Sequence, residues 1–111
     1  MPAFVVHFNT AMDNYYNAIR EGTLNEAIVS DLMDAIDEMN KAVRNGTIKI
    51  EFTADQLNNM LGIFSYFTQE FAKANNYEYE EPEKPAQNDE CGNLLYMKDY
   101  LKIQQRIYKT A

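Results

Sequence analysis

The residues whose types come closest to a chemical site are Asp31, Asp34, Asp37 and Glu38, carboxylates that recur at near-helical spacing within one stretch. Such a set binds a divalent cation when a facing segment supplies further oxygen ligands, which would make the chain an all-α metal-dependent hydrolase. Here all four fall on the polar side of an amphipathic pattern. No second ordered acidic motif exists to face them, so the expectation is a solvated helix surface. His7 is the only histidine and Cys91 the only cysteine, whereas a zinc site draws on several such ligands. A histidine-activated nucleophile would need Ser30 or Ser65 beside His7, and neither serine has the context of a nucleophile elbow. Cys91 has acidic neighbours, which oppose thiolate formation. The four glycines are scattered and form no phosphate cradle. The sequence therefore predicts no catalytic residue, no metal, no cofactor and no enzyme.

Contact chemistry remains. The chain has 8 tyrosines, 6 phenylalanines and no tryptophan. Tyrosine joins an apolar ring to a polar tip and suits half-buried or contact positions. Tyr77, Glu78, Tyr79, Glu80 and Glu81 interleave rings with carboxylates. They form either a solvated linker or an element that docks on a basic groove, the rings giving contact and the carboxylates steering. Tyr66, Tyr96, Tyr100 and Tyr108 broaden the apolar faces of two predicted helices beyond what a short chain covers, which predicts an interface and self-association. Gly62 interrupts the most aromatic stretch, Leu57 to Ala72. A helix-interior glycine costs about 1 kcal/mol relative to alanine, so close packing against its backbone is expected.

The formal net charge is −7, distributed as −4 over residues 1–46, −1 over 47–76, −5 over 77–90 and +3 over 91–111. An acidic chain lacks the basic footprint needed for direct nucleic-acid binding, and the same charge disfavours an anionic membrane surface. A lone cysteine permits no internal disulfide and suits a reducing compartment. Met1 to Asp13 lacks the basic and apolar regions of a secretory signal, and no run is long enough to span a bilayer. The expected location is cytoplasmic, or the host cell cytoplasm if the protein is viral.

The elements that would position these residues are helical. With 111 residues and a hydrophobic fraction of 46%, the chain suits a single domain, residues 1–111. Phe4, Phe8, Met12, Tyr15 and Ile19 step by three or four, predicting a helix from 2 or 10 to 21 that ends at Gly22. Residues 2–9 can instead be a strand. Thr23 and Glu26 form a capping box for a helix to about Arg44 that buries Ile28, Leu32, Ala35, Ile36, Met39 and Val43. Residues 47–52 alternate polar and apolar, predicting a short β segment. Thr53 and Gln56 cap the aromatic helix, 53–75. Residues 77–92, with two prolines and six carboxylates, predict a long acidic loop. A last helix follows over 93–111. The fold class expected is mainly α: a small four-helix bundle-like domain whose first three helices are antiparallel neighbours, closed by the fourth.

No motif points to a particular family. The function expected is that of a small acidic helical protein acting through protein–protein interaction as a homo-oligomer. Small acidic domains without catalytic parts are common in phages and mobile elements, as assembly components or as inhibitors of host or defence proteins. The alternative is an acidic nucleic-acid mimic that occupies the basic groove of a DNA- or RNA-binding protein.

Overall fold

The computed structural model describes residues 1–86 and 89–110 and contains four helices: α1 (Ala3–Glu21), α2 (Glu26–Arg44), α3 (Ala54–Ala74) and α4 (Glu90–Thr110). Gln87 and Asn88, in the expected loop, and Ala111, at the end of the expected last helix, lie outside the described residues.

Residues 4–8 are helical, not a strand. Pro2 stands at the N-cap, its carbonyl accepting from the N–H groups of Val5 and Val6 at 3.1 and 3.2 Å. Proline suits a helix start because no donor is needed there. α1 stops at Gly22, whose φ of 70° is left-handed and natural for glycine. This stop ties the Thr23 N–H back to Ala18 O at 2.8 Å. Thr23 thus completes the first helix's ending, and the cap of α2 passes to Asn25, whose side chain accepts from Ile28 N at 3.0 Å. The expected Thr23 capping box is corrected accordingly. The Thr53–Gln56 box does form: Thr53 Oγ1 accepts from Gln56 N at 3.1 Å, and Gln56 Oε1 from Thr53 N at 3.0 Å. α4 begins at Glu90, ahead of the expected Asn93. Asp89 supplies the cap, its Oδ1 accepting from Gly92 N at 2.7 Å and its carbonyl from Asn93 N at 3.0 Å.

Residues 47–52 are not a strand, and there is no strand among the described residues. The alternation is still put to use. Ile48, Ile50 and Phe52 pack on the core, while Lys49 and Glu51 face solvent. Alternation specifies one buried side of an extended segment, and a helical core satisfies that without a pairing strand. Residues 77–86 carry neither helix nor strand and alternate in the same way: Tyr77 and Tyr79 are half-buried, Glu78 and Glu80 exposed.

The packing order across the bundle is α1, α2, α4, α3. Only α1–α2, α2–α4 and α3–α4 bring Cα atoms within 8 Å among the described residues. α2 and α4 are antiparallel, since Asp37 meets Lys98 while Ser30 meets Gln105 further along. α3 and α4 are parallel, since Thr68 meets Gln104 and Phe71 meets Tyr108. Of the expectation that the first three helices are antiparallel neighbours, α1 and α2 do lie side by side, but α4 takes the place beside α2 that was expected for α3. The parallel pairing also explains the length of the acidic segment: a parallel pair needs a connection that returns along the whole of α3, roughly 30 Å for 21 residues.

α1 and α3 nowhere bring their backbones that close; side chains join them instead. The Tyr15 ring lies 5.2 Å from that of Phe64 and 6.4 Å from that of Phe67. Tyr15 OH donates to Gln104 Oε1 at 3.0 Å, Gln104 Nε2 donates to Thr68 Oγ1 at 2.9 Å, and Thr68 donates to Phe64 O at 2.7 Å. This chain of bonds satisfies the polar groups at the centre of the core, and three of the four helices take part. Burial holds the Tyr15 phenol far above its ordinary pKa.

Candidate interaction surface

The four α2 carboxylates do not gather around a common point. Asp31 and Glu38 clasp His7 from α1: Nε2 meets Asp31 Oδ1 and Nδ1 meets Glu38 Oε2, each at 2.8 Å. Both ring nitrogens face carboxylates, an arrangement in which the doubly protonated ring can donate from each nitrogen. Its pKa is raised, first by the hydrogen bond to Glu38 and then by that to Asp31. Asp37 instead takes Lys98 of α4 at 2.7 Å, and Asp34 is exposed. No group of three or more acidic, histidine or cysteine side chains is arranged to hold a metal ion among the described residues. Ser30 accepts from Gln105, and Ser65 from Gln69. His7 therefore engages carboxylates where nucleophilic chemistry would need a serine. The polar face of α2 fastens helices together.

Most of the tyrosines singled out by sequence are also committed inside the chain. Glu81 is the hub of one cluster. Its Oε1 accepts from Tyr79 OH at 2.9 Å and from Gln69 Nε2 at 3.2 Å, and its Oε2 accepts from Tyr100 OH at 3.0 Å. Tyr96 and Tyr100 share a hydroxyl contact of 3.2 Å. Tyr100 is only 3% exposed, and Tyr108 donates to Leu24 O at 3.0 Å. Burial pushes Tyr79 up to about 12, with the Glu81 bond adding to it. Burial, then the Tyr96 bond, raises Tyr100 well above its ordinary range. Tyr77 and Tyr79 lie on Ala72, Ile103 and Ile107. The acidic segment is thus laid along α3 and α4 with its rings inward, leaving Glu78, Glu80 and Glu83 outward.

Tyr66 differs from all of these. It is 68% exposed, and neighbouring Ile63 is 40% exposed. Both border a groove of about 550 Å³ between α1 and α3, whose lining also includes Tyr16, Ile19, Gly62 and Phe67. A second groove, lined by Met12 and Met60, continues it past Tyr16, Asn59 and Ile63. Burial raises Tyr16 to about 12. For Gly62 the sequence expectation is corrected in part: a Cβ there would meet nothing within 4 Å, so among the described residues nothing packs closely on that side of its backbone. Nothing in the sequence marks Ile63, Phe67 and Tyr16 as groove-lining residues. Their apolar character read as core, and only the separation of α1 from α3 puts them at a groove.

No known family model matches the chain, and no curated protein or solved structure matches it.

Proposed function

We propose that this is a small non-enzymatic helical protein that works by protein–protein contact, and that it does so as an oligomer. The observation that carries this is the α1–α3 groove, where Tyr66 and Ile63 stand exposed over apolar walls. Adjoining exposed aromatic and branched side chains around an unfilled groove are the composition of a contact surface. The test replaces Tyr66 with a photo-crosslinking benzophenone amino acid in the producing cell, with Asp34 as control position. Protein adducts at 66 and none at 34 are expected. Equal or absent crosslinking at 66 would remove the proposal.

A second reading has its own support. The outward row of Glu78, Glu80 and Glu83, held in place by inward tyrosines, presents spaced negative charge in the manner of a nucleic-acid mimic. Its test neutralises Glu78, Glu80 and Glu83 together and leaves Glu81, which holds the segment down. Binding to a basic DNA- or RNA-binding protein should weaken steeply with salt and be lost in that variant; salt-insensitive binding counts against this reading.

A further inference from the structure

The outward face of α3 carries Asp55, Asn59, Gly62, Tyr66, Gln69 and Lys73, all exposed and spaced by four, three, four, three and four. That is the alternation of a coiled-coil seam, here on polar residues, a glycine and a tyrosine. Laid antiparallel on a copy of itself about residue 64, the seam pairs each position with its complement. Asp55 meets Lys73, Tyr66 meets Gly62, and Asn59 meets Gln69, whose Nε2 is held by Ser65 and Glu81 so that its Oε1 faces the partner's amide. An acid meets a base, an amide meets an amide, and the most exposed ring meets the position without a side chain. The ion pairs within the described residues involve neither Asp55 nor Lys73. The missing Cβ of Gly62 serves no contact among the described residues, yet it costs helix stability.

We infer that the occupant of this face is a second copy of the same chain, docked antiparallel through α3 with each Tyr66 ring seated over the partner's Gly62. A two-fold pairing of this kind needs a self-complementary patch. One register satisfies all three pairs at once, and the antiparallel arrangement also opposes the helix dipoles. Each ring would enter the groove beside Ile63 and Phe67, covering the most exposed apolar surface of the helix. The inference rests on the contact-protein reading above and specifies it.

Sedimentation equilibrium of the full chain tests the pairing. The wild type should be a dimer in reversible exchange with monomer. Gly62→Leu fills the seat and should weaken association at least about tenfold, with a melting temperature in dilute solution that is unchanged or higher. Asp55→Lys should weaken association, and Asp55→Lys with Lys73→Asp should restore it, which only this register explains. A wild type that stays monomeric, or a dimer indifferent to both Gly62→Leu and Asp55→Lys, overturns the inference. In either case Tyr66 crosslinks to a different protein would leave the contact role standing without self-association, whereas their absence would remove that role separately.

Discussion

α2 and α3 are close in length, 19 and 21 residues, and α3 carries the more aromatic sequence. Yet α2 buries Val29, Leu32, Ala35, Ile36, Met39, Asn40 and Ala42, while α3 buries only Phe64, Thr68 and Ala72. The difference lies in their neighbours. α2 sits between α1 and α4, and its apolar face is covered from both sides. Among the helices, α3 brings its backbone close to α4 alone; toward α1 it has side-chain contacts such as that of Tyr15 with Phe64, and an open groove. Burial thus follows position in the bundle, and hydrophobicity alone ranks these two helices in the wrong order. A helix left apolar on an uncovered side is where a contact surface arises.

Large-to-small substitution would break this comparison most sharply. Leu32→Ala should cost about 3–4 kcal/mol, because a fully buried leucine leaves a cavity as well as losing transfer energy. Met60→Ala on half-buried α3 should cost about 1 kcal/mol, in keeping with its partial burial. Urea unfolding of the two variants measures the contrast, and equal losses would place α3 inside the core. The polar centre comes next. Gln104→Leu strands the buried Tyr15 hydroxyl and should cost about 2 kcal/mol, most of it recovered when Tyr15→Phe removes the orphaned donor too. Failure of that double variant to recover would mean that the bond chain has a further role in packing.

On the open side the expected sign reverses. Gly62→Ala should stabilise the monomer by up to about 1 kcal/mol, since the helix gains a better former and the added methyl meets nothing. A loss of stability in dilute solution would show that the site is crowded after all.

The smallest effect is the clasp of His7 on Asp31 and Glu38. Its folded-state pKa is raised, so the folded chain holds this proton more tightly than the unfolded one. The stabilisation is present below about 6.5, the ordinary histidine value, and is lost as pH rises through the folded value. The clasp is partly exposed, so it contributes on the order of 0.5 kcal/mol. Wild type should hold its advantage over His7→Gln below about pH 6.5 and lose it as the pH rises above that value. A pH-independent difference between the two would rule out an imidazolium between the carboxylates.

Local signals placed the helices well and their neighbours poorly. Gly22, Asn45–Gly46 and the Thr53 box sit where the chain changes direction because those residues act through their own backbone and the adjacent turn. Thr23 misled because the ending of the previous helix claimed its N–H, a contest between two local signals that spacing does not resolve. The tyrosines misled for a different reason. Their composition marks them as amphipathic, but whether Tyr100 meets Glu81 or a partner depends on where the 77–86 segment lies. The seam on α3 is legible as a spacing, but apolar periodicity does not reveal it because most of its residues are polar.

The sequence by itself determined that this chain is helical, where the first three helices stop, which side of α2 is greasy, and that metal-binding and nucleophilic sets are thinly supplied. Those properties follow from residue type and periodicity over a few turns. Only the tertiary structure decided that α3 runs parallel to α4, that the acidic segment is the return path between them, and that α1 and α3 are held apart. The reason is that pairing depends on contacts between residues far apart in the chain. Tyr15 must find Phe64 and Gln104, and Glu81 must find Tyr100, before the surface left over around Gly62 and Tyr66 exists at all.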